Sequence, residues 1–469
     1  MVFSRNSLVM LVLTLLSAVP LVLFAQSDVV IQGKANQGGI VIRLIVYEDY
    51  ISGIQRTIAV DTTDVRGRFE ISANLKEPTY AQLVAGPARA EIFILPSERY
   101  VVQINDLSNF EQGSYFDQEP LRYELISSTD KGASNQITTV NLIVNTFILQ
   151  HFNDLYKRGR HGLLDSLRQV IARQIPNFPD NYISIYTDYK IAALRQSVNS
   201  RSWLALADQY FVNKPVYYNN VEYMAFFTQI FQGFLLNSLQ WNQEDLKMGI
   251  SGGLNQLFGL LNRDALLQSD KRLAELILLY NLKEMYFMRD FGRQDVIKIL
   301  NELATRSNFP EHRVIAANII KANGHLGYFS EAPPFLLPLS NGLYTGPADY
   351  PDHFIILNFV KTNCQPCVSE YDGLQKLLEK YTTQLKIITI ATSESFTETN
   401  NFFRENRFGW MLVNLSDNWT VLEDYNIRSF PEFVIVLPGG RIGMAPAPSP
   451  EEGLEMHLQR LMKLSERSK

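Results

Sequence analysis

Hydrophobic and polar positions change their rhythm twice along this chain, and each change marks a different kind of structure. From about Val29 to Asn105 the period is two: Phe69, Ile71, Ala73 and Leu75 alternate with Arg68, Glu70, Ser72 and Asn74, and Tyr100, Val102 and Ile104 repeat the pattern. Half-buried antiparallel strands produce this alternation, and Gly38-Gly39, Ser52-Gly53, Arg66-Gly67 and Gly86-Pro87 punctuate it at hairpin distances. The pattern predicts a small all-β, sandwich-like domain over residues 26–110. Between 120 and 329 apolar residues recur three and four apart, as in Leu163, Leu164, Leu167, Val170 and Ile171, or Leu273, Leu276, Leu278 and Leu279, which predicts a central α-helical region. Its dense aromatic stretch, from Tyr210 and Phe211 to Phe231 and Phe234, reads as a helical core, with a partner groove as the alternative.

The proline-rich break Glu331-Ala-Pro-Pro-Phe335 opens a third part, residues 331–469. Strands predicted at Phe354–Val360, Leu385–Ala391 and Phe433–Leu437 alternate there with helices at Cys364–Tyr381, Thr397–Asn406 and Pro450–Leu464. That order implies an α/β layer structure, closed by a hairpin around Pro438-Gly439-Gly440.

With 469 residues and an apolar fraction of 46%, the chain can bury more than one core. Its net charge of -5 and pI near 5.8 give no basic field, so nucleic acid is not an expected partner. At the N-terminus, Arg5, the apolar run Leu8–Phe24 and Ala25-Gln26 follow the order of an export signal, here residues 1–25. Cleavage after Ala25 is expected; left uncleaved, the same run would tie the protein to a membrane. Both readings place the protein outside the cytoplasm, in the periplasm or cell envelope.

Cys364 and Cys367 are the only two cysteines, too few for a disulfide framework in an exported chain of this length. They fall between a predicted buried strand and a predicted helix. Unpaired backbone N–H groups at a helix start stabilise an anion, so Cys364 is placed to become an attacking thiolate and Cys367, a turn further in, to close a disulfide. A zinc site competes for the same motif. There is no second cysteine pair, however, and the six histidines show no ligand spacing, so neither a metal nor a separate cofactor is expected.

This order of elements resembles the thioredoxin fold, and the run Ala332-Pro333-Pro334-Phe335-Leu336-Leu337, the Asn341-Gly342 turn and the Cys-x-x-Cys resemble exported thioredoxin-like thiol-disulfide oxidoreductases. Asp61-Thr-Thr-Asp-Val-Arg-Gly-Arg-Phe-Glu-Ile71 is similar to the strand-turn-strand signature of a β-domain that precedes such domains in Bacteroidetes-type bacteria. The resemblance implies Cys364 as surface nucleophile, Cys367 as resolving thiol, Pro366 as the proline shaping the turn between them, and Pro431 as a cis-proline. It also implies that Phe430 and Asn363 meet the substrate. Asn363 stands where thioredoxins have Trp, and Asn358 where many carry a buried acid.

The expected function is reduction of protein disulfides in the periplasm through a Cys-Gln-Pro-Cys redox pair, with protein thiols and disulfides and an unidentified electron donor as partners. Two alternatives stand beside it. One is a thiol peroxidase, which the Lys361 three residues before Cys364 does not fit. The other is a non-enzymatic envelope protein with a vestigial last domain, for which the intact cysteine pair is the wrong feature.

Overall fold

A computed structural model of the chain describes residues 28–86, 88–105, 120–175, 181–199, 203–286, 288, 290–324, 326–361, 364–416 and 418–467. The expected export signal, 1–25, and Asn363 lie outside them. No helix among the described residues is long and apolar enough to cross a membrane.

Eight strands of seven or eight residues build the first part: β1 (Asp28–Lys34), β2 (Val41–Tyr47), β3 (Gln55–Thr62), β4 (Arg68–Asn74), β5 (Thr79–Ala85), β6 (Ala88–Ile94), β7 (Arg99–Asn105) and β8 (Arg122–Ser128). They form two four-stranded sheets, β4-β1-β7-β8 and β3-β2-β5-β6. Alternate residues of both sheets, among them Ile31, Ile71 and Val102 from one and Leu44, Leu83 and Ile92 from the other, bury into one apolar cluster, so the period-two pattern is realised as a sandwich. β8 pairs antiparallel with β7 and lies beyond the expected end of this part at residue 110. Its pattern, with no residue fully buried, carries little apolar signal. At the β3–β4 turn, Gly67 has φ 76° and sits too close to the Ala35 carbonyl for any side chain. The Asp64 carboxylate accepts from the backbone of Arg68 and Arg66 and from the Arg68 guanidinium. Those bonds hold it down at about 2.

Helices from Ala133–Phe152 to Pro310–Gly324 follow. The stretch expected at Leu163 is the helix Leu163–Gln174, which buries Leu164, Leu167 and Ile171 on one side. Lys271–Met285 is buried nearly all round and starts on Asp270, whose carboxylate accepts from the N–H groups of Arg272 and Leu273 at 3.0 Å. Tyr223, Phe226, Phe227 and Phe231 line one helix and pack with Phe211, so the aromatic stretch is core.

The last part is a five-stranded sheet, β13-β12-β11-β14-β15, made of β11 (Phe354–Val360), β12 (Leu385–Ala391), β13 (Met411–Asn414), β14 (Glu432–Leu437) and β15 (Arg441–Ala447); the short β9 (Leu337–Pro338) and β10 (Tyr344–Thr345) pair ahead of it. β11 runs parallel to β12 and antiparallel to β14. This is the thioredoxin-like α/β layer expected from the sequence. All seven residues of β11 are buried. Ile356 and Val360 face a cluster containing both cysteines and the helices Gln365–Ser369, Tyr371–Lys380, Ser393–Asn406 and Leu454–Arg467, while Ile355, Leu357 and Phe359 face Phe335, Trp419, Leu422 and Tyr425. The helix expected unbroken over 364–381 is interrupted at Glu370, and the edge strand β13, four residues long, has no counterpart in the pattern reading.

Both apolar clusters of this part are made from residues no earlier than Leu326 among the described residues. A fragment of residues 326–469 should therefore unfold cooperatively by itself, with a single denaturant transition followed by far-UV circular dichroism. A broad, non-cooperative transition would mean that its core is completed from outside.

Candidate active site

At the end of β11 the chain leaves the sheet through Lys361 and enters the helix Gln365–Ser369 with Cys364 as its N-cap. Pro366 is the second residue of that helix, where a fixed φ suits the first turn and a missing N–H costs no bond. Cys364 and Cys367 are joined as a disulfide with Cα atoms 5.2 Å apart. The Cys367 N–H points at Cys364 Sγ, 3.2 Å away, so the first sulfur sits where a backbone dipole favours negative charge.

The expectation of a surface nucleophile needs a correction. Cys364 is only 7% exposed and Cys367 2%, and both belong to an apolar cluster with Val360, Tyr371 and Phe403. Both sulfur-bearing residues are instead reached through a cavity of about 420 Å³, lined also by Lys361, Val368, Glu398 and Phe402. One wall is the helix Ser393–Asn406, which starts earlier than the expected Thr397 and lines the cavity with Glu398, Thr399 and Phe402.

Pro431 follows Phe430 through a cis peptide bond, as the resemblance implied. The loop ahead of it is tied by the Glu432 carboxylate, whose Oε2 accepts the N–H groups of Arg428 at 2.9 Å and Ser429 at 3.2 Å. Phe430 packs at the margin of the cluster that holds the cysteines. Pro366, Pro431 and Phe430 are thus gathered around the same end of the sheet as the disulfide; Asn363 lies outside the described residues. A second cis bond, Ala445–Pro446, was not anticipated.

Two further features surround the disulfide. Tyr371, Phe402, Phe403, Phe408 and Trp410 form an aromatic group behind it, with Tyr371 and Phe403 centroids 5.3 Å apart and Phe408 and Trp410 4.8 Å apart. Burial pushes the Tyr371 hydroxyl well above its ordinary range, so it stays protonated. Phe402, Phe403 and Phe408 were visible as a run of aromatics, but nothing in their spacing aimed them at the cysteines. Glu370, three residues after Cys367 and 6% exposed, is a buried carboxylate whose Oε2 accepts the Glu451 N–H at 3.2 Å. Residues three apart share a helix face, and the αR backbone of Glu370 preserves that relation across the helix break.

Beneath the disulfide, on the cluster face of β11, Asn358 is fully buried. Its Nδ2 donates to Thr389 Oγ1 at 3.2 Å, and Trp410 Nε1 donates to the same oxygen at 2.9 Å. One threonine hydroxyl thus satisfies two buried donors. Thr389→Val would orphan both, costing about 2–4 kcal/mol of unfolding free energy, which a shift in the urea midpoint at unchanged m-value would report.

Residues 352–442 match a family model described as thioredoxin-like. The chain is 26% identical over 114 residues to the thiol-disulfide oxidoreductase ResA of Bacillus subtilis, and 27% identical over 107 residues to the thioredoxin-like protein YneN of the same organism. These alignments cover 24% and 23% of this chain, and the chain spans 63% of the length of each relative. Among solved structures, it is similar to the thioredoxin domain of a thiol-disulfide oxidoreductase from Bacteroides vulgatus, with 21% identity, 29% of this chain and 98% of that one covered, and a TM-score of 0.27. A thiol:disulfide interchange protein from Bacteroides sp. gives 20% identity, 29% and 91% coverage and a TM-score of 0.27.

Proposed function

We propose, from a C-terminal part that belongs to the thioredoxin-like oxidoreductases, that this protein is an exported thiol-disulfide oxidoreductase that reduces protein disulfides with Cys364 and Cys367. The observation that carries the reading is the disulfide itself, held at a helix start with Cys364 Sγ facing a backbone N–H and both cysteines lining one cavity. The peroxidase and non-enzymatic alternatives have no such feature in their favour. Export rests on the N-terminal pattern, and the periplasm or cell envelope is the compartment it suggests.

In the reduced protein the Cys364 thiolate attacks one sulfur of a substrate disulfide, and the other substrate sulfur leaves as a thiolate. Cys367 then loses its proton and attacks Cys364 Sγ. The second substrate sulfur leaves, the substrate gains two electrons, and Cys364–Cys367 is left oxidised for a donor to reduce again. Glu370 is our candidate for the group that takes the Cys367 proton, because it is the buried carboxylate on the same helix face and Asn358 has no titratable group. Phe430 and Pro431 form the edge along which a substrate strand lies, and Pro366 sets the turn.

Cys367→Ser should accumulate substrate proteins in mixed disulfides that a reductant releases, whereas Cys364→Ser should trap little and be inactive. Non-reducing gels followed by mass spectrometry separate the two outcomes. Equal trapping by both variants would remove the assignment of attacker and resolver.

Glu370→Gln should leave the first attack nearly unchanged and slow the resolving step by about tenfold to a hundredfold near pH 7, with the difference narrowing at higher pH as Cys367 ionises unaided. Stopped-flow kinetics from pH 6 to 9 measure this. A parallel shift of both steps would assign Glu370 a purely structural role.

A further inference from the structure

The three parts of the chain are not joined by the same physics. Ile51, at the tip of the β2–β3 hairpin, packs inside the main apolar cluster of the helical region, and Phe93 of β6 packs among Ile137, Val140 and Tyr182. The sandwich and the helices therefore share core. The C-terminal domain shares none: its two clusters stop at Leu326 among the described residues.

What crosses that boundary is charge. Glu423, on the short helix Thr420–Asp424, is approached by Arg43 Nη1 of β2 at 3.4 Å and by Arg89 Nη2 of β6 at 2.5 Å. Arg43 is the register partner of Val84 on β5, and Val84 of Arg89 on β6, so the two arginines stand in one row on one face of the sheet. Arg89 is steadied by Gln55 and Gln82 on its own sheet, at 2.9 and 3.4 Å. The three side chains keep 14%, 31% and 26% exposure in the order Arg43, Arg89, Glu423, so water and salt can compete for them. Trp419 lies beside the same contact, its indole nitrogen facing Gly86 at the end of β5.

The position of Glu423 gives the contact a consequence. It stands in the segment that leads directly into Arg428, Phe430 and Pro431. With Glu423 engaged, the segment that runs from it into the cis-proline is tied to the face of the sheet that carries Arg43 and Arg89.

We propose that Arg43, Arg89 and Glu423 form a charge latch that makes Glu423 a substrate-size-determining residue: engaged, it keeps the Phe430–Pro431 edge close to the sandwich and admits small or extended disulfides; released, it opens that edge to folded proteins. This rests on the oxidoreductase reading above. Glu423 touches no reacting atom and acts by positioning the domain.

The test uses the full chain, as wild type, Glu423→Gln and the double variant Arg43→Gln/Arg89→Gln, which break the latch from its two sides. Small-angle X-ray scattering reports the domain arrangement, and initial rates are compared for hydroxyethyl disulfide and for insulin. Both variants should show a larger radius of gyration and an insulin rate raised about threefold to tenfold, with the hydroxyethyl disulfide rate within about twofold of wild type. Moderate salt should move the wild type toward the variants. If either variant keeps the wild-type scattering profile or the wild-type ratio of the two rates, the latch is wrong. A wild type inactive on both disulfides would instead defeat the oxidoreductase reading and, with it, the substrate-size role, and scattering would still judge whether the contact holds the domains.

Discussion

Two-sided burial of β11 is the constraint on which the C-terminal domain depends. A strand whose every residue is out of water needs a layer on each face, and its backbone must pair on both edges, here with β12 and β14. The layers are supplied by helices on one face and, on the other, by the helix Thr420–Asp424 with a short extended arm around Phe335 and Leu337. The chain emerges from such a strand at the sheet's end, where a turn into a helix has free N–H groups. Placing the only cysteines of the protein at that point couples the fully buried strand of the domain to its disulfide.

The same burial explains why the disulfide is sheltered. Tyr371, Phe403 and Trp410 complete the core against Val360 and the cysteines, and both cysteines line the cavity walled by Lys361, Val368 and Phe402. Polar atoms in this core are few and shared, as in the Asn358, Thr389 and Trp410 bonds. A carboxylate among them, Glu370, is therefore conspicuous on physical grounds: charge is costly there unless hydrogen-bonded, and the Glu451 N–H provides such a bond.

Much of this was legible from patterning. The alternation of Phe69, Ile71 and Ala73 against Arg68, Glu70 and Ser72 gave the sandwich because one face of each strand is wet; the unbroken run Phe354–Val360 gave β11 because neither face is. Spacing could also place the cysteines at a strand-to-helix turn. It could not place β8, whose residues are too evenly half-exposed, or β13, which is too short to show a period. Nor could it find the exposure of Cys364, since that depends on a helix thirty residues further on and on aromatic side chains meeting across the fold. Glu370 and the Glu423 contact were invisible for the same reason: a lone acidic residue on a helix carries no signal until its neighbours are known.

A working two-electron couple at Cys364 and Cys367 exchanges electrons reversibly with a thiol buffer, whereas a structural bridge does not. The most direct measurement is an equilibrium titration of the full chain against glutathione or dithiothreitol, with thiols counted by alkylation and intact mass. Gln365-Pro366 between the cysteines supplies no histidine to stabilise the thiolate further, so one two-electron transition is expected, nearer thioredoxin, about -270 mV, than the strongly oxidising extreme of about -120 mV. A disulfide that resists reduction below about -300 mV, as structural bridges do, or a transition at the oxidising extreme, would contradict it.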